Sequence, residues 1–367
     1  MEDNTDIDRE KYFTLFEQFT KNAAPQKVAS VNDRVLIVDL LNTFIRSFAA
    51  SPAMNDDGDH VGGITGALYS IGSAIRLVQA TRCIIVADGE DGAKRRRKLF
   101  PDYKMKRKMH YSLNRTYDFK DKEEESRAMK LQLARLVDYL RCLPVQFVTI
   151  YGVEADDAIA HITNEIFNKP ETQVTIMSSD RDFLQLVDDR VSVWSPTKKK
   201  MYTPSVILEE YGVSPKNFLF YKMLMGDDSD NIPGIDGCGK VTIPKNLRLL
   251  TEDVAHSVDE VFKFAEEANS GKKKKKFYTH ILESKEKLLL NEQLMQLSNP
   301  YIVDHSILEI QKKVNAEIPI LNKYEIQIMY VHDRISSAMA NLSEWLLSTF
   351  STLNAFAVES KKSGDII

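Results

Sequence analysis

Three apolar stretches that each end on an aspartate decide the fold predicted for this chain. They are VLIVD at 35–39, CIIVAD at 83–88 and VTIMSSD at 174–180. The periodicity adds strands at 145–150 and 191–195, with helices near 62–79, 123–142, 155–167 and 181–187 between the strands. Such alternation is typical of an α/β fold, a mostly parallel central sheet with helices on both faces.

The alternation stops after Pro204, and the rest of the chain has a helical pattern, including 217–225. We therefore expect an N-terminal extension at 1–33, an α/β body at 34–203 and a helical region at 204–367. A short amphipathic helix is predicted near 12–19. The basic stretch at 94–117 has little periodic apolar content and is expected to be mobile or irregular.

Acidic side chains recur where the predicted strands end and in short clusters further along the chain. In an open α/β sheet the carboxyl ends of the strands line the ligand crevice. Acids gathered there would repel one another unless cations neutralised them. Oxygen ligands around a compact site suit Mg²⁺ or Mn²⁺, so the pattern predicts a metal-dependent enzyme. The acids are Asp39, Asp88, Glu154, Asp156, Asp157, Asp180, Asp182, Asp227 and Asp230.

Some of these acids also have a purely structural interpretation. Acids in the first turn of a helix complement its dipole, which could account for one or two of the three acids at 154–157. Asp180 could equally be a helix N-cap. The cluster at 227–230 ends a helix, where the dipole disfavours acids, so a functional cause is favoured there.

The composition limits which classes of ligand and which cellular compartment suit this chain. The net charge is −4, but nine Lys or Arg residues fall within 94–108, a run that begins shortly after Asp88. Positive charge beside a metal site suits a polyanionic substrate. The lysine runs at 198–200 and 272–276 are interpreted as solvated segments. No apolar run is long enough to span a membrane, the first residues are acidic, and three scattered cysteines favour a reducing cytoplasm.

The ordered set of motifs resembles the phage and bacterial 5′-nucleases of the flap endonuclease family. The resemblance covers roughly 35–250 and implies a PIN-like nuclease core. Its segments are VD at 38–39, ADG at 87–89, FPDYKMKR at 100–107, GVEADDA at 152–158, SSDRD at 178–182 and GDDSDNIPG at 226–234.

This resemblance implies two divalent ions, Mg²⁺ with Mn²⁺ as a substitute. It places Asp39, Asp88, Glu154, Asp156 and Asp157 in a first metal site. Asp180, Asp182, Asp227 and Asp230 then form the second metal site. Lys104 and Arg107 match catalytic basic residues of a helical arch at 94–122. Arg95, Arg96 and Arg97 are expected to contact DNA.

The glycine-rich segment GIDGCGK at 234–240 could hold a phosphate on its backbone N–H groups. It resembles the hairpin of a helix–hairpin–helix element near 232–250. This implies DNA contacts from Gly237, Gly239, Lys240 and Lys245, and a bound monovalent cation such as K⁺. The continuation VTIPKN at 241–246 departs from the family pattern, and its proline is predicted to delay or break the second helix. A plain helix-to-helix turn remains an alternative.

The leading hypothesis is a structure-specific 5′-nuclease with exonuclease and flap endonuclease activity. It would remove RNA primers or flaps in phage DNA replication. The expected partners are branched, nicked or flapped DNA, RNA–DNA hybrids, and replication proteins such as a single-stranded DNA-binding protein. The chain is expected to act as a monomer in the cytoplasm of a host cell. A PIN-type ribonuclease and a non-catalytic DNA-binding relative remain alternatives.

Overall fold

The computed structural model describes residues 30–105, 112–271 and 274–363. The helix predicted near 12–19 lies outside these ranges, as does Arg107. None of the helices described is long and apolar enough to cross a membrane.

A six-stranded sheet forms the body, in the order β3-β2-β1-β4-β5-β6. The first five strands run parallel, and β6 pairs antiparallel with β5. The predicted α/β fold with a mostly parallel sheet is therefore confirmed, and β6 is an addition that begins at the last lysine of the basic run at 198–200. The strands are β1 Arg34–Asp39, β2 Arg82–Val86, β3 Gln146–Val148, β4 Gln173–Met177, β5 Val191–Ser195 and β6 Lys200–Tyr202.

Helices flank the sheet and make up the region that follows it. In the body they are α1 Leu40–Ala50, α2 Gly62–Val78, α3 Lys94–Leu99, α4 Lys122–Arg141 and α5 Ala155–His161. Beyond it lie α6 Pro204–Tyr211, α7 Phe218–Met225, α8 Thr242–Asn246, α9 Val258–Ala268, α10 Lys276–Leu282, α11 Lys285–Met295, α12 Asp304–Val314, α13 Lys323–His332 and α14 Leu342–Ser363. A two-stranded ribbon, β7 Gly226–Asp227 and β8 Ile232–Pro233, follows α7.

The sheet is buried on both faces because alternate side chains of each strand point to opposite sides. Ile37 and Ile84 face one apolar layer, which includes Phe218 of α7. Leu36 faces the other, which includes Phe350 of α14. Since residues beyond 204 contribute to both layers, the helical region packs directly against the α/β body.

Three local expectations differ from the structure. Helix α1 was not predicted, although Phe44 and Phe48 lie one turn apart and are fully buried. This helix begins directly after β1, with no glycine or proline between them to mark a turn. The stretch predicted as irregular begins with helix α3, in which Arg96 is buried. The segment predicted as a helix at 181–187 forms a 3₁₀ helix at Asp182–Leu186.

Candidate active site

The carboxyl edge of the sheet brings acids from three strand ends to one side of the molecule. Asp39 is the last residue of β1, and its side chain accepts hydrogen bonds from the backbone N–H of Asn42 (3.1 Å) and from Ser178 Oγ (3.0 Å). Asp88 follows β2 by two residues and accepts from the backbone N–H of Ala155 at 2.7 Å. These contacts fix the two carboxylates against the beginnings of α1 and α5.

Gly89 allows this close approach of the segment after β2. A Cβ at this position would lie 1.6 Å from the carbonyl oxygen of Ile150, so no larger residue fits without moving the backbone. The backbone N–H of Gly89 also donates to the carbonyl of Val153 at 3.0 Å. The glycine therefore holds Asp88 beside the acids that open α5.

Four of the acids influence one another electrostatically. Burial raises the pKa of Asp39 to about 7, against the opposing effect of its two hydrogen bonds, and the nearby Asp180 and Asp88 raise it further. Burial, followed by Asp180, also raises the pKa of Asp156 well above its usual range. A carboxyl group with a raised pKa lies where added positive charge would stabilise its ionised form.

Two further acids are already neutralised by basic side chains. Arg96 is 4% exposed and donates from Nη1 and Nη2 to the two carboxylate oxygens of Asp157, at 2.7 Å each. Its Nη1 also contacts Glu154, and its Nε donates to the carbonyl of Leu294 at 2.8 Å. Lys104 Nζ pairs with the other oxygen of Glu154. Burial opposes ionisation of Glu154, but Arg96 and Lys104 outweigh it, so the pKa of Glu154 is lowered.

A third group of acids surrounds a buried lysine that the sequence patterns did not identify. Lys222 is 3% exposed and pairs with Asp182 at 2.8 Å and with Asp227. Burial raises the pKa of Asp182 to about 6 despite this pairing. The pKa of Asp227 falls to about 2, since Lys222 and Ser229 outweigh its burial. One local feature of the sequence could have identified this lysine: Lys222 is the single charged residue in the apolar helix α7.

The chemistry of the acidic side chains fits divalent cations, although the acids do not converge on a single point. In the described ranges, no three acidic, histidine or cysteine side chains converge closely enough to enclose a metal. The oxygens of Asp39, Asp156 and Asp182 nevertheless belong to carboxyl groups whose pKa is raised by burial and by neighbouring acids. Carboxylate oxygens are the ligands that Mg²⁺ and Mn²⁺ prefer.

Lys104 lies between the acids that open α5 and the ribbon. Its backbone N–H donates to the carbonyl of Asp230 at 2.9 Å, and its φ of 57° is in the left-handed region. Tyr103, directly before it, is buried, with its hydroxyl 3.4 Å from Glu154. The hydrogen bond to Asp230 and the buried Tyr103 therefore fix the position of Lys104, whose ammonium group pairs with Glu154.

The three arginines predicted to contact DNA lie in different environments. Arg97 is exposed, and Arg95 is half-buried with its guanidinium 4.7 Å from the ring centre of Tyr301. Arg96 points inward to Glu154 and Asp157, so its guanidinium is not accessible to a DNA phosphate in this structure. Its observed role is to neutralise buried acids.

The glycine-rich segment forms a tight turn that leads into α8. Gly237 has a φ of +80°, and Thr242 Oγ1 accepts from the backbone N–H of Gly239 at 2.7 Å. That N–H is therefore already paired. Pro244 lies within the first turn of α8, where proline is tolerated, and α8 ends after five residues. Lys240 and Lys245 are exposed.

Two family models match consecutive parts of the chain. Residues 34–212 match the resolvase-like N-terminal domain of 5′-3′ exonucleases, and residues 213–316 match their C-terminal SAM fold. A 5′-3′ exonuclease of Bacillus subtilis is 33% identical over 229 residues, which are 59% of this chain and 70% of the relative. A flap endonuclease of Shewanella is 30% identical over 217 residues, 59% of this chain and 75% of the relative.

Solved structures show the same fold. A bacteriophage T5 flap endonuclease, determined as a pseudo-enzyme-product complex with DNA and metal ions, aligns with a TM-score of 0.58. The alignment covers 81% of this chain and 98% of that one, at 21% identity. A zinc-bound T5 5′-exonuclease aligns with a TM-score of 0.57 at 20% identity, covering 82% of this chain and 98% of that one.

Proposed function

Because the chain belongs to the 5′-3′ exonuclease family, whose members include flap endonucleases, we propose that it hydrolyses phosphodiester bonds of branched DNA with the help of divalent cations. The proposed ligands are the nine acids identified in the sequence. Mg²⁺ is the proposed cofactor and Mn²⁺ its substitute. Lys104 and Arg107 are proposed to act on the reacting phosphate.

One observation carries the proposal of metal dependence. Burial raises the pKa of Asp39, Asp156 and Asp182, and the nearby Asp180 adds to all three shifts. Grouping like charges in this way destabilises the fold unless a cation relieves it. A protein that did not bind cations there would gain stability by losing the acids.

The roles of the chain's own residues follow from these contacts. Divalent cations in such a cleft, when bound, activate water and stabilise the attacking and leaving oxygens of a phosphodiester displacement. Ser178 and the backbone of Asn42 orient Asp39, and the backbone of Ala155 orients Asp88. Lys104 supplies a fixed positive charge where negative charge develops on the phosphate.

The substrates and setting are proposed on the same basis. Flapped or nicked DNA and RNA–DNA hybrids are polyanions, and the basic segment at 94–108 supplies positive charge close in the chain to the acid Asp88. Removal of RNA primers or flaps in phage DNA replication is the proposed task, in the cytoplasm of a host cell. The chain would act as a monomer, with a single-stranded DNA-binding protein as a candidate partner and K⁺ as a candidate ligand of the hairpin.

A cleavage assay tests the proposal with a matched pair of variants. A 5′-labelled flap, a nicked duplex and an RNA–DNA hybrid are incubated with Mg²⁺, with Mn²⁺ and with chelator. Cleavage is expected at the branch point and at the 5′ end, with either ion and never with chelator. Asp88→Asn should abolish it while leaving flap binding intact, because Asp88 is exposed and its loss spares the core. Asp228→Asn, at an exposed acid of the same turn as Asp227, should cleave normally.

The same assay separates the alternatives. With a 5′-labelled single-stranded RNA added to the substrates, a PIN-type ribonuclease would cleave that RNA and leave the DNA flap intact. A non-catalytic relative would bind the flap and cleave none of the substrates with either ion. Cleavage by Asp88→Asn at the wild-type rate would remove Asp88 from the metal site.

A further inference from the structure

The second half of the lysine run lies beside the glycine-rich hairpin. The run's described members are Lys274, Lys275 and Lys276, of which the last opens α10. His280 follows Lys276 by four residues, so the two share one helix face with about 5–6 Å between their Cβ atoms. The Nδ1 of His280 donates to the carbonyl of Asp236 in the hairpin at 2.8 Å. The lysines therefore begin one helical turn away from the hairpin.

Three contacts hold α10 and α11 against both ends of the hairpin. Besides His280, the hydroxyl of Tyr278 donates to the carbonyl of Asn246 at 3.0 Å, at the end of α8. Lys287 Nζ donates to the carbonyl of Gly234 at 2.6 Å, at the hairpin's beginning. A hairpin fixed at 234, 236 and 246 keeps a constant position relative to the lysines.

The run itself is also anchored. The side chain of Asn269, which is 8% exposed, accepts from the backbone N–H of Lys275 at 2.8 Å and donates to Thr279 Oγ1 at 3.2 Å. The lysine side chains remain exposed, and within the described part of the chain no acid forms an ion pair with Lys274, Lys275 or Lys276. Lys275 Nζ lies 5.5 Å from the ring centre of Tyr278. Three exposed lysines that form no ion pair in the described residues are thus presented from a fixed backbone.

Building on the proposed function, we propose that Lys274, Lys275 and Lys276 extend the hairpin surface and bind the phosphate backbone of duplex DNA away from the cleavage site. We expect duplex DNA and not single-stranded DNA, because proteins bind single-stranded DNA with exposed aromatic rings that stack on the bases. Neither ring of this segment is fully exposed: Tyr278 is 4% exposed, and the half-buried Phe277 packs on it with centroids 5.3 Å apart. Lysines without exposed rings suit phosphates.

Salt-dependent binding tests this surface. Lys274→Ala/Lys275→Ala/Lys276→Ala is compared with wild type and with a control of three exposed lysines on other helices, Lys312→Ala/Lys323→Ala/Lys361→Ala. Binding is measured in chelator, so that no cleavage occurs, on flaps whose duplex arm is about 8 or about 24 base pairs long. On the long arm, the slope of log affinity against log salt should fall by roughly two to three units, since each phosphate contact contributes about 0.9.

The hydroxyl-radical footprint on the long arm should shorten for the triple variant and remain unchanged for the control. The short-arm flap should still be cleaved with Mg²⁺ at the wild-type rate, which separates this surface from the cleavage site. If no variant cleaved any flap, the proposed function would fail while the slope still reported on the surface. An unchanged slope on the long arm overturns the inference, as would equal losses on both arms, which would indicate a general effect of charge.

Discussion

Replacing Arg96 by methionine should destabilise the protein strongly, because this guanidinium is the main counter-charge of two buried acids. It makes contacts with both oxygens of Asp157, with Glu154 and with the carbonyl of Leu294. Methionine retains much of the side-chain volume but none of the donors, so the acids would stay buried without their partner. Removing one member of a buried ion pair costs about 3–5 kcal/mol.

This free energy converts into a measurable shift of the melting temperature. For chains of about 150–250 residues, 1 kcal/mol corresponds to roughly 2–4 °C. At the lower end of that range, which suits a longer chain, we expect Tm to fall by roughly 6–10 °C in chelator. Arg97→Met, one position along the same helix but exposed, should change stability by less than about 0.5 kcal/mol.

The loss should depend on pH in a defined direction. In the wild type the pKa of Glu154 is lowered from 4.5, so its ionised form stabilises the fold above that value, and this contribution is lost as pH falls through the lowered pKa. Without Arg96, burial is opposed by Lys104 alone, and the variant should recover stability when acid protonates Glu154. The difference in Tm between wild type and variant should therefore be larger at pH 8 than at pH 5.

Thermal denaturation followed by circular dichroism, at both pH values and with and without Mg²⁺, measures these effects. If Glu154 and Asp157 are metal ligands, Mg²⁺ should restore part of the lost Tm, since a cation would replace the missing charge. A fall in Tm of less than about 2 °C in chelator would refute the reasoning, because it would mean that the two acids tolerate burial without Arg96.

Three more outcomes are expected. Lys104→Ala should slow single-turnover cleavage by about 10²–10³-fold, the scale of one lost transition-state stabiliser, whereas a rate equal to that of the exposed-site control Lys98→Ala would demote it to a structural residue. Because burial raises the pKa of Asp39 to about 7, Mg²⁺ binding should release protons, and the Mg²⁺ affinity should increase as pH rises from 6 to 8. Calorimetry in buffers of different ionisation enthalpy measures the number of protons released. A Mg²⁺ affinity that does not change with pH would contradict this expectation. Gly89→Ala should prevent stable folding, since its Cβ would lie 1.6 Å from a carbonyl oxygen, whereas Gly271→Ala, with open space around it, should not; equal Tm values for these two variants would show that the backbone can move aside.

The predicted arrangement of strands and helices followed from local patterns. Stretches of five to seven residues that lead from apolar residues to an aspartate predicted β1, β2 and β4, and the structure places these strands within three residues of the quoted bounds. Such patterns are readable because burial on both faces of a parallel sheet requires continuous apolar strands. The acids were visible for the same reason, since a carboxylate that ends an apolar run stands out from its neighbours.

The sequence did not reveal which basic side chains pair with these acids. Arg96 lies in a run of basic residues, where nothing local separates one buried guanidinium from its exposed neighbours. Lys222 lies 40 residues after Asp182 and belongs to another part of the fold, yet the two are 2.8 Å apart. Counter-charges are selected by distance in space, because the interaction between charges falls with separation and rises with burial. Those quantities are set only when the helical region packs against the carboxyl edge of the sheet. The sequence alone therefore determined which residues carry negative charge, and the tertiary structure decided which of those charges are neutralised from within.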